Sequence, residues 1–269
     1  IFENAKQWAA VIISSLAILA ISMIGYNYYP PIADAKFIMC IHTINLFTVI
    51  MAALTVVLIF KRELNESRDK IEEKQKEIVD SIHYAKKIQN AMIVNKAFID
   101  AHLKNNFVLF QPKDIVSGDF YWATKRDTRF YLAVCDSTGH GVPGAFMSLL
   151  NITFLNEAIN EKHISNVDEV FNYTRTKLIE NLGKEGQKDG FDGILLCIDS
   201  KTNEITYAAA NNSPIIISDG KLTKLPCCKM PVGQGEKKES FVRYKLEAKP
   251  NDLLCLYTDG FADQFGGPK

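Results

Sequence analysis

The chain has 269 residues, with 31 lysines and arginines against 31 aspartates and glutamates, so its formal net charge is zero. This length allows one or two domains with a sizeable core, and the neutral balance lacks the basic surplus of nucleic-acid-binding proteins. No pair among the six cysteines has CxxC spacing, which argues against a zinc site and favours reduced thiols in a cytosolic domain. They are Cys40, Cys135, Cys197, Cys227, Cys228 and Cys255. The sequence begins at Ile1 and ends at Lys269 without a closing element, so we expect a longer natural chain.

Two apolar segments near the start predict transmembrane helices, at about residues 8–29 and 37–60. Neither contains Asp, Glu, Lys or Arg, and each is long enough to cross a hydrocarbon layer of about 30 Å. A signal peptide is the alternative for the first segment. Basic residues follow the second segment, so the positive-inside rule places the region after it in the cytoplasm. We therefore expect a multi-pass protein of the cytoplasmic membrane, embedded in the lipid bilayer.

Residues 61–95 are predicted to form a charged helical linker with a coiled-coil-like repeat. Such a repeat favours a homodimer held together through the linker. Its apolar positions recur every seven residues, at Leu64, Ile71, Ile78, Ala85 and Met92. The alternative is a single amphipathic helix that lies on the domain that follows.

From residue 96 onward, short predicted strands surround two consecutive predicted helices. The helices are expected at residues 144–159 and 166–183, with Pro143 at the start of the first. Strands are predicted at residues 107–111, 129–136, 193–199, 204–210, 214–220, 239–247 and 252–260. Because turns rather than helices join most of these strands, the pattern indicates an α+β fold with helices packed over antiparallel sheet.

Three aspartates lie at the ends of strands or strand-like segments: Asp119, Asp136 and Asp259. An unpaired carboxylate at the end of an apolar strand is costly, so a partner of opposite charge is expected. Carboxylates without a cluster of histidines or cysteines suit a hard cation such as Mg²⁺ or Mn²⁺. Small residues after each aspartate leave room for backbone oxygens and water. A turn or helix cap is the alternative role for each aspartate taken alone.

The chain resembles the PPM-type metal-dependent serine/threonine protein phosphatases, and within them the SpoIIE-like bacterial branch, over about residues 82–269. The segments that carry the resemblance are FQPKDIVSGDFYW, VCDSTGHGVPGAFMS, ITYAAANNSPIII and LLCLYTDGFAD. The resemblance implies an α-β-β-α sandwich over residues 96–269, incomplete at its C-terminal end, with two divalent cations at one end of paired sheets.

The family's metal-binding pattern maps onto four positions of this sequence. Asp136 matches the aspartate that bridges the two metals, and the carbonyl of Ser137 matches the position that follows it. Asp259 matches the aspartate of a late T-D-G motif, and Asp119 matches an early G-D motif that contacts one metal through water. The family has a further metal-binding aspartate, in a D-D-x-T type motif, and we expect it beyond Lys269.

Other polar residues near these motifs have two readings each. His140 is a candidate acid for the leaving group, or a loop histidine that hydrogen-bonds backbone. Asn211 and Asn212 are candidates to orient substrate, or turn residues. Asp189 and Asp192 are candidates for a third, weaker metal site, or ordinary turn residues.

The resemblance implies a membrane-anchored phosphatase that hydrolyses phosphoserine or phosphothreonine on a regulatory protein, such as an anti-anti-sigma-like domain. It also implies that the linker switches the metal site on. A catalytically degenerate phosphatase domain that serves as a binding module is one alternative. A membrane-bound histidine kinase, from His83 in the linker, and a diguanylate cyclase, from the SGDFY segment, are the others.

Overall fold

A computed structural model of the chain describes residues 13–14, 17–18, 20–21, 24, 35–183, 189–237 and 239–261. The chain divides into two compact units, residues 1–78 and residues 79–269. The described residues between 13 and 24 are helical, but most of the predicted span at residues 8–29 lies outside the described part.

Helix α1 runs without interruption over 58 residues, Ala35–Met92. The predicted second span and the predicted linker are therefore one continuous helix rather than two separate elements. Ion pairs between successive turns support its charged part, such as Arg62 with Glu66 at 2.9 Å. The exposed positions Leu64, Ile71 and Ile78 of the predicted repeat are 54%, 63% and 60% exposed, so an apolar seam is open to solvent in the single chain.

Two stretches of the described chain are long and apolar enough to cross a membrane, Met39–His102 and Gly141–Glu161. The first includes the predicted second span, and none of its apolar window is buried. The second is half buried, as the core helix of a globular domain is. These two stretches are identified by length and composition alone, and the core helices of soluble proteins and signal sequences have the same two properties.

The second unit contains two antiparallel sheets. The strands are β1 Asp119–Arg126, β2 Arg129–Ser137, β3 Gly190–Asp199, β4 Glu204–Ala210, β5 Ile215–Ser218, β6 Lys221–Lys224, β7 Val232–Gly233, β8 Tyr244–Leu246 and β9 Leu253–Cys255. Strand order is β1-β2-β3-β4-β8 in the first sheet, where β7 also pairs with β3, and β6-β5-β9 in the second. The helices that follow α1 are α2 Lys96–His102, α3 Gly141–Asn156, a π-helix Glu157–Glu161, α4 Val167–Leu182 and a 3₁₀-helix Asp259–Phe261.

The middle of strand β3, residues 194–198, is apolar because both faces of the strand are covered there. Leu195 and Cys197 pack in the core between the first sheet and the helices α3 and α4. Ile194 and Leu196 pack on the opposite face, in a core shared with Ile216 of the second sheet. The described residues thus form a helix layer and two sheet layers, which confirms the α+β class and the phosphatase-type sandwich expected from the sequence.

Some predicted strands are shorter than expected, and one is absent. Residues 107–111 form no strand, although Val108 and Phe110 pack inward while Phe107 and Leu109 are exposed. The strand predicted at residues 107–111 is therefore wrong, because a short apolar run indicates burial but cannot show whether a neighbouring strand is free to pair. The strands predicted at 239–247 and 252–260 shrink to β8 and β9, so Asp259 follows a strand at a distance instead of ending it.

Candidate functional site

Three carboxylates form a row across the first sheet. In the antiparallel register, Asp119 of β1 pairs with Asp136 of β2, and Asp136 pairs with Asp192 of β3. Register partners point to the same face of a sheet. Asp192 shares its face with Ile194, which packs toward the second sheet. The row therefore lies at the end of the first sheet, on the side that meets the second.

A fourth carboxylate reaches this row from the second sheet. Asp259 opens the 3₁₀-helix that follows β9. The hydroxyl of Thr258 donates a hydrogen bond of 3.0 Å to Oδ2 of Asp119. A Cβ atom at Gly260 would lie 3.5 Å from the same carboxylate oxygen, so the backbone of this turn is in contact with Asp119. The structure thus brings together Asp119, Asp136 and Asp259, the three aspartates singled out in the sequence, and adds Asp192 to them.

The carboxyl group of Asp136 is the electrostatic centre of the group. Its burial, together with the neighbouring carboxyl groups of Asp119 and Asp259, raises the pKa of Asp136 to about 8. Burial also raises the pKa of Asp192, against the opposing effect of a hydrogen bond from Asn211. Without a cation, Asp136 therefore holds its proton to a higher pH than an ordinary aspartate does, and a divalent ion bound there would displace that proton.

The donor set fits hard divalent cations in type, because carboxylate and carbonyl oxygens are the ligands of Mg²⁺ and Mn²⁺. The side-chain placement is a separate matter. Within the described part of the chain, no three His, Cys, Asp or Glu side chains are arranged to hold one ion at once. The carboxyl groups contact one another instead, so ligation requires rotation of these side chains about their own torsions while the strand register stays unchanged.

The raised pKa of Asp136 predicts how pH affects the stability of the metal-free protein. Between pH 4 and 8 the folded state binds this proton more strongly than the unfolded state, whose carboxyl group has the ordinary pKa of 3.8. The free energy of unfolding therefore falls as pH rises through this window. The variant Asp136→Asn has no titrating carboxyl group at this position and lacks this loss. Its free energy of unfolding should therefore exceed that of the wild type by an amount that grows from pH 4 to 8, to about 1–2 kcal/mol after allowance for solvent screening.

Thermal unfolding of the metal-free protein, followed by tryptophan fluorescence, measures this difference; Trp122 is buried and reports on the first sheet. Excess Mn²⁺ should cancel the advantage of the variant, because the cation stabilises the wild-type carboxylate. A constant difference between the two proteins from pH 4 to 8 would contradict the assignment.

The loop after Asp136 is held by hydrogen bonds on both sides. The Ser137 amide donates to the Gly118 carbonyl at 3.3 Å, and Ser137 Oγ accepts from Nδ2 of the buried Asn151 at 3.0 Å. The Thr138 amide and hydroxyl both donate to the Gly190 carbonyl, at 2.9 and 3.0 Å. These bonds fix the position of the Ser137 carbonyl, which is the oxygen that the family resemblance assigns to a metal.

Glycines let three backbone segments meet under this loop. A Cβ atom on Gly144 would lie 2.4 Å from the carbonyl oxygen of Gly139, and one on Gly118 would lie 2.7 Å from the same atom. Gly139 itself has a φ of +92°, a conformation that favours glycine. The loop, the start of α3 and the segment before β1 are therefore packed backbone to backbone.

Gly144→Ala should displace this loop. We expect a loss of about 1–3 kcal/mol in the free energy of unfolding, typical of overpacking, and a fall of at least about 10-fold in activity if the loop carries the metal site. Gly183→Ala is the matched control, because its new Cβ would meet only side-chain atoms at ordinary contact distances, Ile179 at 3.4 Å and Gln234 at 3.6 Å. Equal thermal stability and activity in the two variants would show that the contact with Gly139 is unimportant.

The cavity beside the carboxylates has a volume of 480 Å³ and is lined by Asp136, Ser137, Thr138, Gly139, His140, Phe191, Asp192, Asn211 and Pro231. His140 precedes the first residue of α3, and its side chain makes no capping hydrogen bond. His140 is exposed and lines the cavity without capping the helix. Pro143 lies in the first turn of α3, where a missing amide hydrogen breaks no intrahelical bond.

The two asparagines and Asp189 occupy different surroundings. Asn211 has a φ of +55°, and its Nδ2 donates to Oδ1 of Asp192 at 2.8 Å, so it holds a carboxylate of the row. Asn212 lies one residue on; its amide donates to the Ala210 carbonyl, while its Nδ2 is buried without a hydrogen-bond partner among the described residues. Asp189 precedes β3, and its carbonyl accepts from the Gln234 amide at 3.2 Å.

Sequence reasoning missed a contact between the end of α1 and the site. Gln89 is only 2% exposed, and its Nε2 donates to the Ser117 carbonyl at 2.6 Å and to Oγ of Ser148 at 2.8 Å. Its Oε1 accepts from the Ser117 amide at 3.1 Å. Ser117 lies two residues before Asp119, so these hydrogen bonds hold α1 to the segment that positions the Asp119 carboxylate. A glutamine in a charged helix carries no sequence signal for such a role.

Comparisons with known proteins agree with this arrangement. The family model for stage II sporulation protein E (SpoIIE) matches residues 126–268. A search of the curated proteins found no match. Among solved structures, the SiaA-PP2C domain of Pseudomonas aeruginosa is 30% identical, with a TM-score of 0.64 over 72% of this chain and 76% of that chain.

Two further solved structures are more distant. The RsbU and RsbW domains of a Mycobacterium tuberculosis protein are 21% identical, with a TM-score of 0.48 over 58% of this chain and 42% of that chain. The PP2C phosphatase domain of SpoIIE from Bacillus subtilis, solved with a fragment of its regulatory domain, is 22% identical, with a TM-score of 0.45 over 54% of this chain and 42% of that chain.

The family match spans more than half of the 269 residues and includes Asp136, Asp192 and Asp259. The SiaA-PP2C similarity extends over a larger share of the chain and shows the same mixed helix-and-sheet fold. The chain therefore belongs to the SpoIIE family of PPM-type, metal-dependent protein phosphatases.

Proposed function

We propose that this chain is a serine/threonine phosphatase that hydrolyses phosphoserine or phosphothreonine on a regulatory protein, using water activated by two divalent cations, Mn²⁺ or Mg²⁺. The observation that carries the proposal is the convergence of Asp119, Asp136, Asp192 and Asp259 beside the 480 Å³ cavity. Such a concentration of carboxylates at the end of two apolar sheets is costly unless cations neutralise it.

Within this proposal, Asp136, Asp119, Asp259 and the Ser137 carbonyl would hold the cations from this part of the chain, with Asp136 as the central ligand. Asp192, held by Asn211, lies next to Asp136 and supplies a further carboxylate. Together with Asp189 it stays a candidate for a third, weaker ion. When bound, a pair of divalent cations supplies hydroxide at neutral pH and neutralises charge that builds on the phosphoryl oxygens.

The remaining tasks fall to protein groups around the cavity. A ring nitrogen of His140 would donate a proton to the departing serine or threonine oxygen, since this side chain lines the cavity and caps no backbone amide. Asn211 would keep Asp192 oriented, and Asn212, one residue on, would contact the substrate. The bonds from Asn151 and to Gly118 would hold the Ser137 carbonyl toward the ions.

Phosphate release by the full-length protein tests the proposal. With Mn²⁺, the wild type should hydrolyse a phosphoserine peptide and p-nitrophenyl phosphate, and a chelator should abolish both activities. A catalytically degenerate binding module is the second candidate, favoured by the lack of three ready-placed ligands among the described residues. Binding of a phosphoprotein without Mn²⁺-dependent phosphate release would establish that alternative instead.

The proposed setting of the enzyme is the cytoplasmic membrane. Residues 37–60 of α1 contain no Asp, Glu, Lys or Arg, and the apolar window of this helix is not buried, which supports anchoring in the bilayer. The basic residues that follow support a cytoplasmic phosphatase domain. The exposed seam of Leu64, Ile71 and Ile78 supports a homodimer formed through the linker. The family membership supports a regulatory phosphoprotein, of anti-anti-sigma type, as the substrate.

A further inference from the structure

Lys229 lies beside the cavity that contains the carboxylates: it is not one of the lining residues, but Asn211, which its side chain contacts, and Pro231, two residues further on, both line the cavity. The segment before it runs beside the end of β4, where the Asn211 amide donates to the Cys228 carbonyl at 2.8 Å. The Lys229 ammonium lies 3.5 Å from the Asn211 carbonyl oxygen. Asn211 lines the cavity and bonds Asp192 through its side chain, so one residue separates this cation from the carboxylate row.

The charge balance of the site favours a positively charged side chain near the bound substrate. Four aspartates surround the site, Asp119, Asp136, Asp192 and Asp259, and their charge balances that of two divalent ions. A phosphate monoester brings roughly two further negative charges at neutral pH. A positively charged side chain at the cavity would therefore favour the phosphorylated substrate over its hydroxyl product.

The ammonium group of Lys229 is available to bind a phosphoryl group. Its side chain is exposed, and its one described hydrogen bond is long and goes to an uncharged carbonyl. No described carboxylate lies within ion-pair distance of its ammonium. An ammonium group has three donors, so two remain for phosphate oxygens.

We infer that Lys229 is a substrate-binding residue that contacts the phosphoryl group of the substrate. The inference rests on the proposed function for the identity of the substrate, and it adds a recognition element outside the carboxylate row. Lysine suits this place because its flexible stem and point charge can follow a phosphoryl group that enters from solvent. Its contribution is to binding, so its loss should raise KM more than it lowers kcat.

The test is equilibrium binding of inorganic phosphate to the full-length, Mg²⁺-loaded protein by titration calorimetry, together with kinetics on a phosphoserine peptide and on p-nitrophenyl phosphate. Lys229→Gln should weaken phosphate binding by about five-fold, typical of one exposed charge-assisted bond. KM should rise by a similar factor for both substrates, and Lys229→Arg should recover most of the loss. Lys224→Gln is the matched control, because Lys224 is an exposed lysine on β6.

The outcomes test the role of Lys229 separately from the proposed function. Unchanged phosphate binding in Lys229→Gln, or no phosphate binding by the wild type, would overturn the inference. An increase in KM confined to the phosphopeptide would also overturn it, because Lys229 would then contact acidic groups of the partner rather than the phosphate. Lys229-dependent phosphate binding in a protein that hydrolyses neither substrate would preserve the inference and overturn the proposed function.

Discussion

Asp136→Asn should lower the catalytic efficiency of the full-length protein by about 10³-fold or more. Asp136 stands in the middle of the row and contacts the carboxyl groups of both Asp119 and Asp259, so it is the side chain best placed to bind two cations. An amide has nearly the same shape but lacks the charge that holds divalent ions. A 10³-fold loss corresponds to about 4 kcal/mol of transition-state stabilisation, which is within the range attributed to metal-activated water.

The measurement is Mn²⁺-dependent phosphate release from a phosphoserine peptide, with Asp199→Asn as the matched control. Asp199 occupies the opposite end of the same β2–β3 ladder, where it bonds Arg129 at 3.1 Å and has a pKa lowered to about 2. We expect that control to keep activity within about two-fold of the wild type, since surface ion pairs contribute little. Comparable activity in Asp136→Asn and the wild type, at saturating Mn²⁺, would end the two-metal proposal.

The same ladder shows how much of the site was accessible from sequence. Three of the four carboxylates can be recognised in the sequence, namely Asp119, Asp136 and Asp259. Each lies beside an apolar segment and small residues, and this pattern is visible in a short stretch of sequence. Asp192 was assigned to a turn or a minor ion site, because its place next to Asp136 depends on the register of β2 against β3. Register follows from the pairing of distant strands, and no local pattern specifies it.

Turn and linker residues show the same limit. The sequence leaves Asn211 as either a substrate-orienting residue or a turn residue, and only the fold reveals its bond to Asp192. Residues 107–111 alternate as a strand does, yet no neighbouring strand pairs with them. The heptad positions of α1 were readable, whereas Gln89, between them, was not, because its three hydrogen bonds join it to partners 28 and 59 residues away. A helix and its exposed apolar seam can be predicted from a short stretch of sequence, whereas contacts between distant parts of the domain cannot.

Gln89→Leu should weaken both the fold and the site. The substitution keeps the volume of the side chain but removes its hydrogen bonds to the Ser117 backbone and to Ser148. The buried Ser117 amide and carbonyl would then be left unsatisfied, at a cost of about 1–3 kcal/mol for each group. We expect a total loss of about 3 kcal/mol in the free energy of unfolding. The position of Asp119 would also become less defined.

The effect on the site should appear as weaker metal binding, so that the activity requires more Mn²⁺. Residues that orient metal ligands typically change metal affinity or activity by about 10–100-fold when removed. The Mn²⁺ concentration needed for half-maximal activity should therefore rise in Gln89→Leu. Ser117 is followed by Gly118, whose carbonyl accepts from the Ser137 amide, so the disturbance can reach both sides of the row.

Asn90→Leu is the matched control for this experiment, since Asn90 is the exposed amide next in the helix. It should leave stability within about 0.5 kcal/mol of the wild type and leave the Mn²⁺ dependence unchanged. If Gln89→Leu lost stability but kept both kcat and the Mn²⁺ requirement, Gln89 would be a packing residue alone. A shifted Mn²⁺ requirement would instead make Gln89 a residue that positions Asp119, and would support the expectation that the linker helix controls the metal site.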